Sequence, residues 1–97
     1  MKPENVNPQN FELIKIIFDN DEFSIAYGIF EKGDKCLGMR WNGNITDNDD
    51  KGYPKVFKNP MWFIIHNDLK KPFLKSLLGI KNKKVTELIE IINSEFK

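Results

Sequence analysis

Residues 11–41, FELIKIIFDNDEFSIAYGIFEKGDKCLGMRW, decide the fold. Three apolar runs are cut by two polar clusters. In 11–18, a strict period of two puts Phe11, Leu13 and Ile17 on one face and Ile14, Ile16 and Phe18 on the other. Both faces are apolar, so this strand is expected to be covered on both sides. Asp19-Asn20-Asp21-Glu22 reads as a turn, because Asn and Asp tolerate left-handed backbone and bond their own main chain. In 23–31, Phe23, Ile25, Tyr27 and Ile29 face one way, and Ser24, Ala26, Gly28 and Phe30 the other. The small residues of that second face imply close approach by another element. Lys32-Gly33-Asp34 is the next turn, with Gly33 expected to take the positive φ. In 35–41, Cys36, Gly38 and Arg40 oppose Leu37, Met39 and Trp41. Three consecutive strands with short turns form an antiparallel meander.

Outward from this core, residues 1–9 are polar, hold Pro3 and Pro8, and read as a loose N-terminal segment. Residues 42–60, NGNITDNDDKGYPKVFKNP, read as a long irregular loop, of the kind that carries function or moves. MWFII, 61–65, is a short apolar strand. A helix follows, capped by Asn67 or Asp68, with Pro72 in its first turn, Leu69, Phe73, Leu74, Leu77 and Leu78 on one side, and Gly79 as its stop. Val85, Leu88, Ile89, Ile92 and Phe96 recur at three and four residues and predict a second, amphipathic helix. The expected fold is a single α+β domain, 1–97: a four-stranded antiparallel sheet, β-β-β-loop-β, with two C-terminal helices on one face.

The chain has 97 residues, 40% hydrophobic and 30% charged, with a formal net charge of +1. That excludes a disordered acidic or basic tail protein. Its apolar runs are too short to span a bilayer. MKPENVNPQN lacks the apolar centre of a signal peptide. One cysteine cannot form an internal disulfide. A cytoplasmic location is the expectation. The 14 Lys against one Arg, with 11 Asn, 12 Ile and one Ala, reads as AT-rich coding. Residues 1–50 hold 5 basic and 10 acidic side chains, and residues 51–97 hold 10 basic and 4 acidic, so the near-neutral total hides a dipolar chain.

Arg40-Trp41-Asn42-Gly43 is the most distinctive string. A guanidinium binds carboxylate or phosphate bidentately and stacks on aromatic faces, and Trp41, Tyr53 and Trp62 are expected to wall it. The plainer reading pairs Arg40 with an acid of the first or second strand, holding the loop in place. GMRWNG, GYP and PMWFIIHNDL together resemble a family of small uncharacterised bacterial proteins. These share RWNG, G-[YF]-P and P-x-W-F-[IV]-x-P-x-x-L, and some are of the type carried on integron gene cassettes and other mobile DNA. The resemblance covers roughly residues 36–78. This chain departs from it at Ile65-His66, where the family pattern has Ile/Val-Pro. It implies no activity and supplies no catalytic residue.

Cys36 and His66 form a nucleophile–base pair only if the fold joins them. A buried inert thiol and a helix-flanking His are the ordinary alternative. Asp47, Asp49, Asp50 and Gly52 invite a calcium loop, but Lys51 and Lys58 fall where oxygen ligands are required. A solvated acidic turn, with no metal and no cofactor, is therefore expected. Lys70, Lys71, Lys75, Lys81, Lys83 and Lys84 make a basic strip without an acid among residues 70–84. Such a strip attracts nucleic-acid phosphates, or simply complements a helix C-terminus. Two-sided apolar strands exceed what one helical layer covers, so a homodimer is expected. The functional expectation is a non-enzymatic binding or accessory module. Its ligand or partner site lies at Arg40, Trp41, Asn42, Tyr53 and Trp62. Nucleic-acid association through the lysines and a small Cys/His enzyme are the alternatives.

Overall fold

A computed structural model of the chain describes residues 1–77, with Glu90 and Ser94. The helix expected over 85–96, Glu90 and Ser94 apart, together with Leu78, Gly79, Lys81, Lys83 and Lys84, lies outside the described residues. Strands β1 (Phe11–Asp19), β2 (Phe23–Phe30) and β3 (Lys35–Trp41) form the meander. A short hairpin follows, β4 (Lys55–Val56) and β5 (Asn59–Pro60). Strand β6 (Phe63–Ile65) then leads through a 3-10 turn at Asn67–Leu69 to helix α1 (Lys70–Leu77). The main sheet has four strands in the order β1-β2-β3-β6, every pair antiparallel. This is an α+β architecture, with one helix among the described residues.

Turn chemistry sets the meander. At β1–β2, Asn20 Oδ1 accepts from the backbone N–H of Glu22 and Phe23, and Asp19 Oδ1 accepts from Asp21, which is left-handed at φ 73. At β2–β3 the left-handed residues are Glu31 (φ 50) and Lys32 (φ 60), not Gly33, whose N–H closes the turn on Phe30 O at 2.9 Å. Two consecutive left-handed residues are the twist-matched hairpin solution, which corrects the expected role of Gly33.

The faces of β1 also differ from a strict alternation. Register shifts fall between Leu13 and Lys15 and between Ile16 and Phe18. Each shift leaves one extra residue unpaired and moves everything beyond it to the other side. Phe11, Leu13 and Ile16 therefore share one face, while Ile17 and Phe18 belong with the other. β2 and β3 alternate as expected.

Both faces of the sheet are covered, by different means. Leu74 and Leu77 of α1 pack on one face against Ile17, Phe18, Ile25, Tyr27, Leu37 and Ile65. The opposite face, with Phe11, Ile16, Ala26 and Cys36, is covered by Met1, Val6 and Trp62. Trp62 lies so close that a Cβ on Gly38 would stand 3.0 Å from its Cβ, so any larger residue would have to push the indole back by a few tenths of an ångström. The N-terminal segment is thus not loose. Pro3 is buried, Val6 is fully buried, and Val6 O accepts from Trp62 Nε1 at 2.9 Å. Met1 and Val6 are drawn in, despite their polar neighbours, because they bury apolar surface against this sheet face beside Trp62.

The segment 42–60 is likewise more ordered than an irregular loop. Trp41 and Tyr53 exchange two backbone hydrogen bonds, at 2.7 and 3.0 Å, and the β4–β5 hairpin follows. His66, not Asn67 or Asp68, caps the helical entrance, its Nδ1 accepting from Asp68 N–H at 3.1 Å. No described helix is long and apolar enough to cross a membrane.

Candidate functional site

Alternation along the end of β3 separates the residues of the Arg40-Trp41-Asn42 string. Arg40 and Asn42 point into the face covered by the N-terminal segment, and Trp41 points the other way. Arg40 is 1% exposed and is the largest fully buried side chain. Its Nη1 donates to Met61 O at 2.6 Å and, at 3.5 Å, to Pro54 O; Nη2 donates to Lys51 O. Nε has no partner among the described residues. The guanidinium carbon stands 5.9 Å from the centre of the Trp62 ring. Burial lowers the guanidinium pKa to about 10, which leaves it cationic at neutral pH. Arg40 therefore holds the loop in place, but through main-chain carbonyls rather than a strand carboxylate. With its fork spent on the loop, it is no open anion site. Gly52, left-handed at φ 65, makes room for this fork: a Cβ there would meet Trp41 O and stand 2.6 Å from Arg40 Nη2.

Asn42 is fully buried, and both polar atoms of its side chain have partners. Its Oδ1 accepts from Ser24 Oγ at 2.7 Å, and its Nδ2 donates to Asp19 Oδ1 at 3.1 Å. Its N–H donates to Glu22 O at 2.8 Å. These bonds tie the β1–β2 turn to the end of β3.

A third anchor was not visible in the sequence. The Met1 ammonium donates to Asn42 O, Asn44 O and Asp50 O at 2.9, 2.7 and 3.0 Å. Asp50 closes the same loop, Oδ2 accepting from Asn44 N–H and Oδ1 from Gly52 N–H. Those two N–H donors, Asn44 first, hold its carboxyl below the ordinary value. Asp47 Oδ1 accepts from Asp49 N–H, so the acidic run folds on itself in local turns. The cation wrapped by this loop is the chain's own terminus. Acetylating the Met1 amine leaves one N–H for three carbonyls and adds an acyl group where Met1 is 8% exposed. The expected loss is about 2 kcal/mol of stability. It is read from urea unfolding of protein acetylated at the terminus alone, and an unchanged midpoint would refute the anchor.

Anchored in this way, the loop presents aromatic surface. Trp41 is 50% exposed and Tyr53 65%. Cross-strand pairing puts them side by side. Behind Trp41, Phe23 is 5.9 Å away, and Phe18 is 5.0 Å beyond Phe23, so an aromatic row runs from core to surface. Of the five expected site residues, then, Arg40, Asn42 and Trp62 are buried supports, and only Trp41 and Tyr53 face outward. The chain matches no family model, no curated protein and no solved structure.

Phe57, at the β4–β5 tip, is 90% exposed and left-handed at φ 56. Sequence reasoning missed it; the one signal is an aromatic between Lys55 and Lys58, outside any alternating run. Among the basic strip, Lys70 Nζ donates to Lys35 O at 2.8 Å, and Lys71 and Lys75 are exposed. Cys36 and His66 line one shallow cavity of about 410 Å³. Burial pushes the Cys36 thiol up, which disfavours the thiolate a nucleophile needs.

Proposed function

We propose that the chain is a non-enzymatic binding module whose contact surface is Trp41, Tyr53 and the 42–60 loop. One observation carries the reading: two large aromatics stand exposed on a loop held by three hydrogen-bonded polar groups, Arg40, Asn42 and the Met1 ammonium. A surface fixed before contact loses little entropy on binding, and exposed aromatics supply area. The neighbouring carboxylates set the sign of the partner. On the loop Asp47, Asp49 and Asp50 are matched in number by Lys51, Lys55 and Lys58, so the negative excess comes from Asp21 and Glu22, both exposed and beside the end of β3. A basic polypeptide segment fits both features, its cations over the rings and against the acids.

The likeness of the RWNG, GYP and PMWF strings to cassette-borne proteins supports an accessory gene carried on mobile DNA. Self-association loses its first support, since both sheet faces are covered within one chain. A second reading, nucleic-acid association, has exposed Lys71 and Lys75 in its favour.

Trp41 fluorescence tests the proposal, because Trp62 is 4% exposed and reports little of the surface. A blocked lysine-rich peptide is expected to shift the emission saturably and to bind about ten-fold more weakly when salt rises from low to physiological strength. Tyr53→Ala should weaken it while leaving the unfolding midpoint in place. Equal binding of an acidic peptide, or no shift with either, sinks the proposal. A shift only with an oligonucleotide, unaltered by Tyr53→Ala, favours the lysine strip instead.

A further inference from the structure

A second concave surface is lined by neither Trp41 nor Tyr53, although Val56, Asn59 and Pro60 of the 42–60 loop form one side of it. A groove of about 800 Å³ runs between the N-terminal segment and the β4–β5 hairpin. That volume falls within the range of small-molecule and short-peptide sites, about 300–1,000 Å³. None of its ten lining residues has a charged side chain, although 30% of the chain is charged. The one formal charge among these residues, the Met1 ammonium, is spent on the carbonyls of Asn42, Asn44 and Asp50, so the occupant the groove fits is uncharged.

Its polar groups are of one kind. Asn5, Asn7, Gln9, Asn10 and Asn59 bring five carboxamides to the groove. Among the described residues only Asn7 spends its amide on the chain, donating to Glu4 O at 3.4 Å. The Asn10 Oδ1 atom is buried with no hydrogen-bond partner among the described residues, a cost that a bound donor would remove. A carboxamide carries both donor and acceptor, as does each residue of a polypeptide backbone. The apolar part is also distinctive. Two of the chain's three methionines, Met1 and Met61, line it. Methionine's unbranched thioether adapts to side chains of differing shape. A saccharide is also neutral, but no aromatic ring lines this groove for a sugar to stack on.

We propose that this groove binds an extended, uncharged segment of polypeptide, with the carboxamides reading its main chain and the methionines receiving its apolar side chains. The probe is a blocked hexapeptide of valine, leucine, serine and glycine, titrated into ¹⁵N-labelled protein. Saturable shifts are expected at Asn5, Gln9, Asn10 and Asn59, and little change at Trp41. The double variant Asn5→Asp, Asn59→Asp keeps side-chain size but removes donors and adds charge. It should bind about ten-fold more weakly, with its thermal midpoint within about two degrees of the parent. A second variant, Gln9→Ala, guards against a fold effect, since Gln9 is exposed and its side chain makes no hydrogen bond among the described residues; it should weaken binding by itself. The proposal is overturned by the absence of saturable shifts at millimolar peptide. It is equally overturned if a blocked tri-lysine hexapeptide binds as well, if maltohexaose binds better, or if the substitutions leave affinity unchanged.

Discussion

Arg40→Ala is expected to lower the stability of the folded chain by about 4 kcal/mol, a large part of what a domain this size has. The side chain is the largest one fully buried, and it fills the space between β3, the loop and Trp62. Truncation leaves the carbonyls of Lys51 and Met61 without their donor, at about 1–3 kcal/mol for each buried unsatisfied group. It also leaves a cavity. Water entering that polar cavity offsets part of the loss, which keeps the figure near the lower end of the sum. Arg40→Lys restores the charge but not the planar fork, and a single ammonium on a flexible stem does not span carbonyls from two chain segments. It is expected to recover less than half of the loss. Urea unfolding at constant m-value measures both variants. A loss below about 1 kcal/mol for Arg40→Ala would mean that the guanidinium is free for a ligand, and the supporting role assigned to it would be wrong.

That role was only partly legible beforehand. As the sole arginine, at the mouth of a long loop, Arg40 stood out as special. Alternation also placed it with Gly38 and Cys36, opposite Trp41, and the structure agrees. Alternation assigns a face, however, and not what covers it. The cover is Met1, Val6 and Trp62, brought from both ends of the described chain, and no local periodicity encodes contacts so far apart. The same gap weakens the argument for a homodimer: β1 is apolar on both faces, and the first six residues supply part of the cover of one of them. β1 itself shows another limit. FELIKIIF is apolar on nearly every residue, so a shift of one position leaves no trace in the pattern, and the bulges near Ile14 and Ile17 were invisible. β2 and β3 carry small residues at fixed places, Ala26, Gly28 and Gly38, and there the sequence reading and the register coincide. The β4–β5 hairpin has only two residue pairs, too few for any period to register. Trp41 and Tyr53 were singled out as aromatics near an arginine. Their exposure follows from a different fact: along that face of β3 burial falls from Leu37 through Met39 to Trp41 at the strand end, beyond what α1 covers.

Trp62→Ala is expected to cost about 3–5 kcal/mol, the range for removing a buried indole. Four contacts meet at this side chain. Its Nε1 donates to Val6 O, its ring stands 5.7 Å from Phe11, its Cβ covers Gly38, and the Arg40 guanidinium faces it. Removing the indole therefore uncovers the sheet face and releases the N-terminal segment together. Trp62→Phe separates these effects. The smaller ring keeps most of the cover over Gly38 but gives Val6 O no donor, so it should lose about 1–2 kcal/mol. Backbone amides near Val6 should then exchange faster than those of β2. The coupling to Arg40 is testable in a double-mutant cycle, because a cation against an aromatic face in a desolvated site contributes about 1–2 kcal/mol. Arg40→Ala combined with Trp62→Ala should cost less than the two losses added, by about that amount, since each single variant already forfeits the shared contact. If the two losses add to within about 0.3 kcal/mol, the guanidinium and the indole are mere neighbours, and the loop is held by the carbonyl bonds alone.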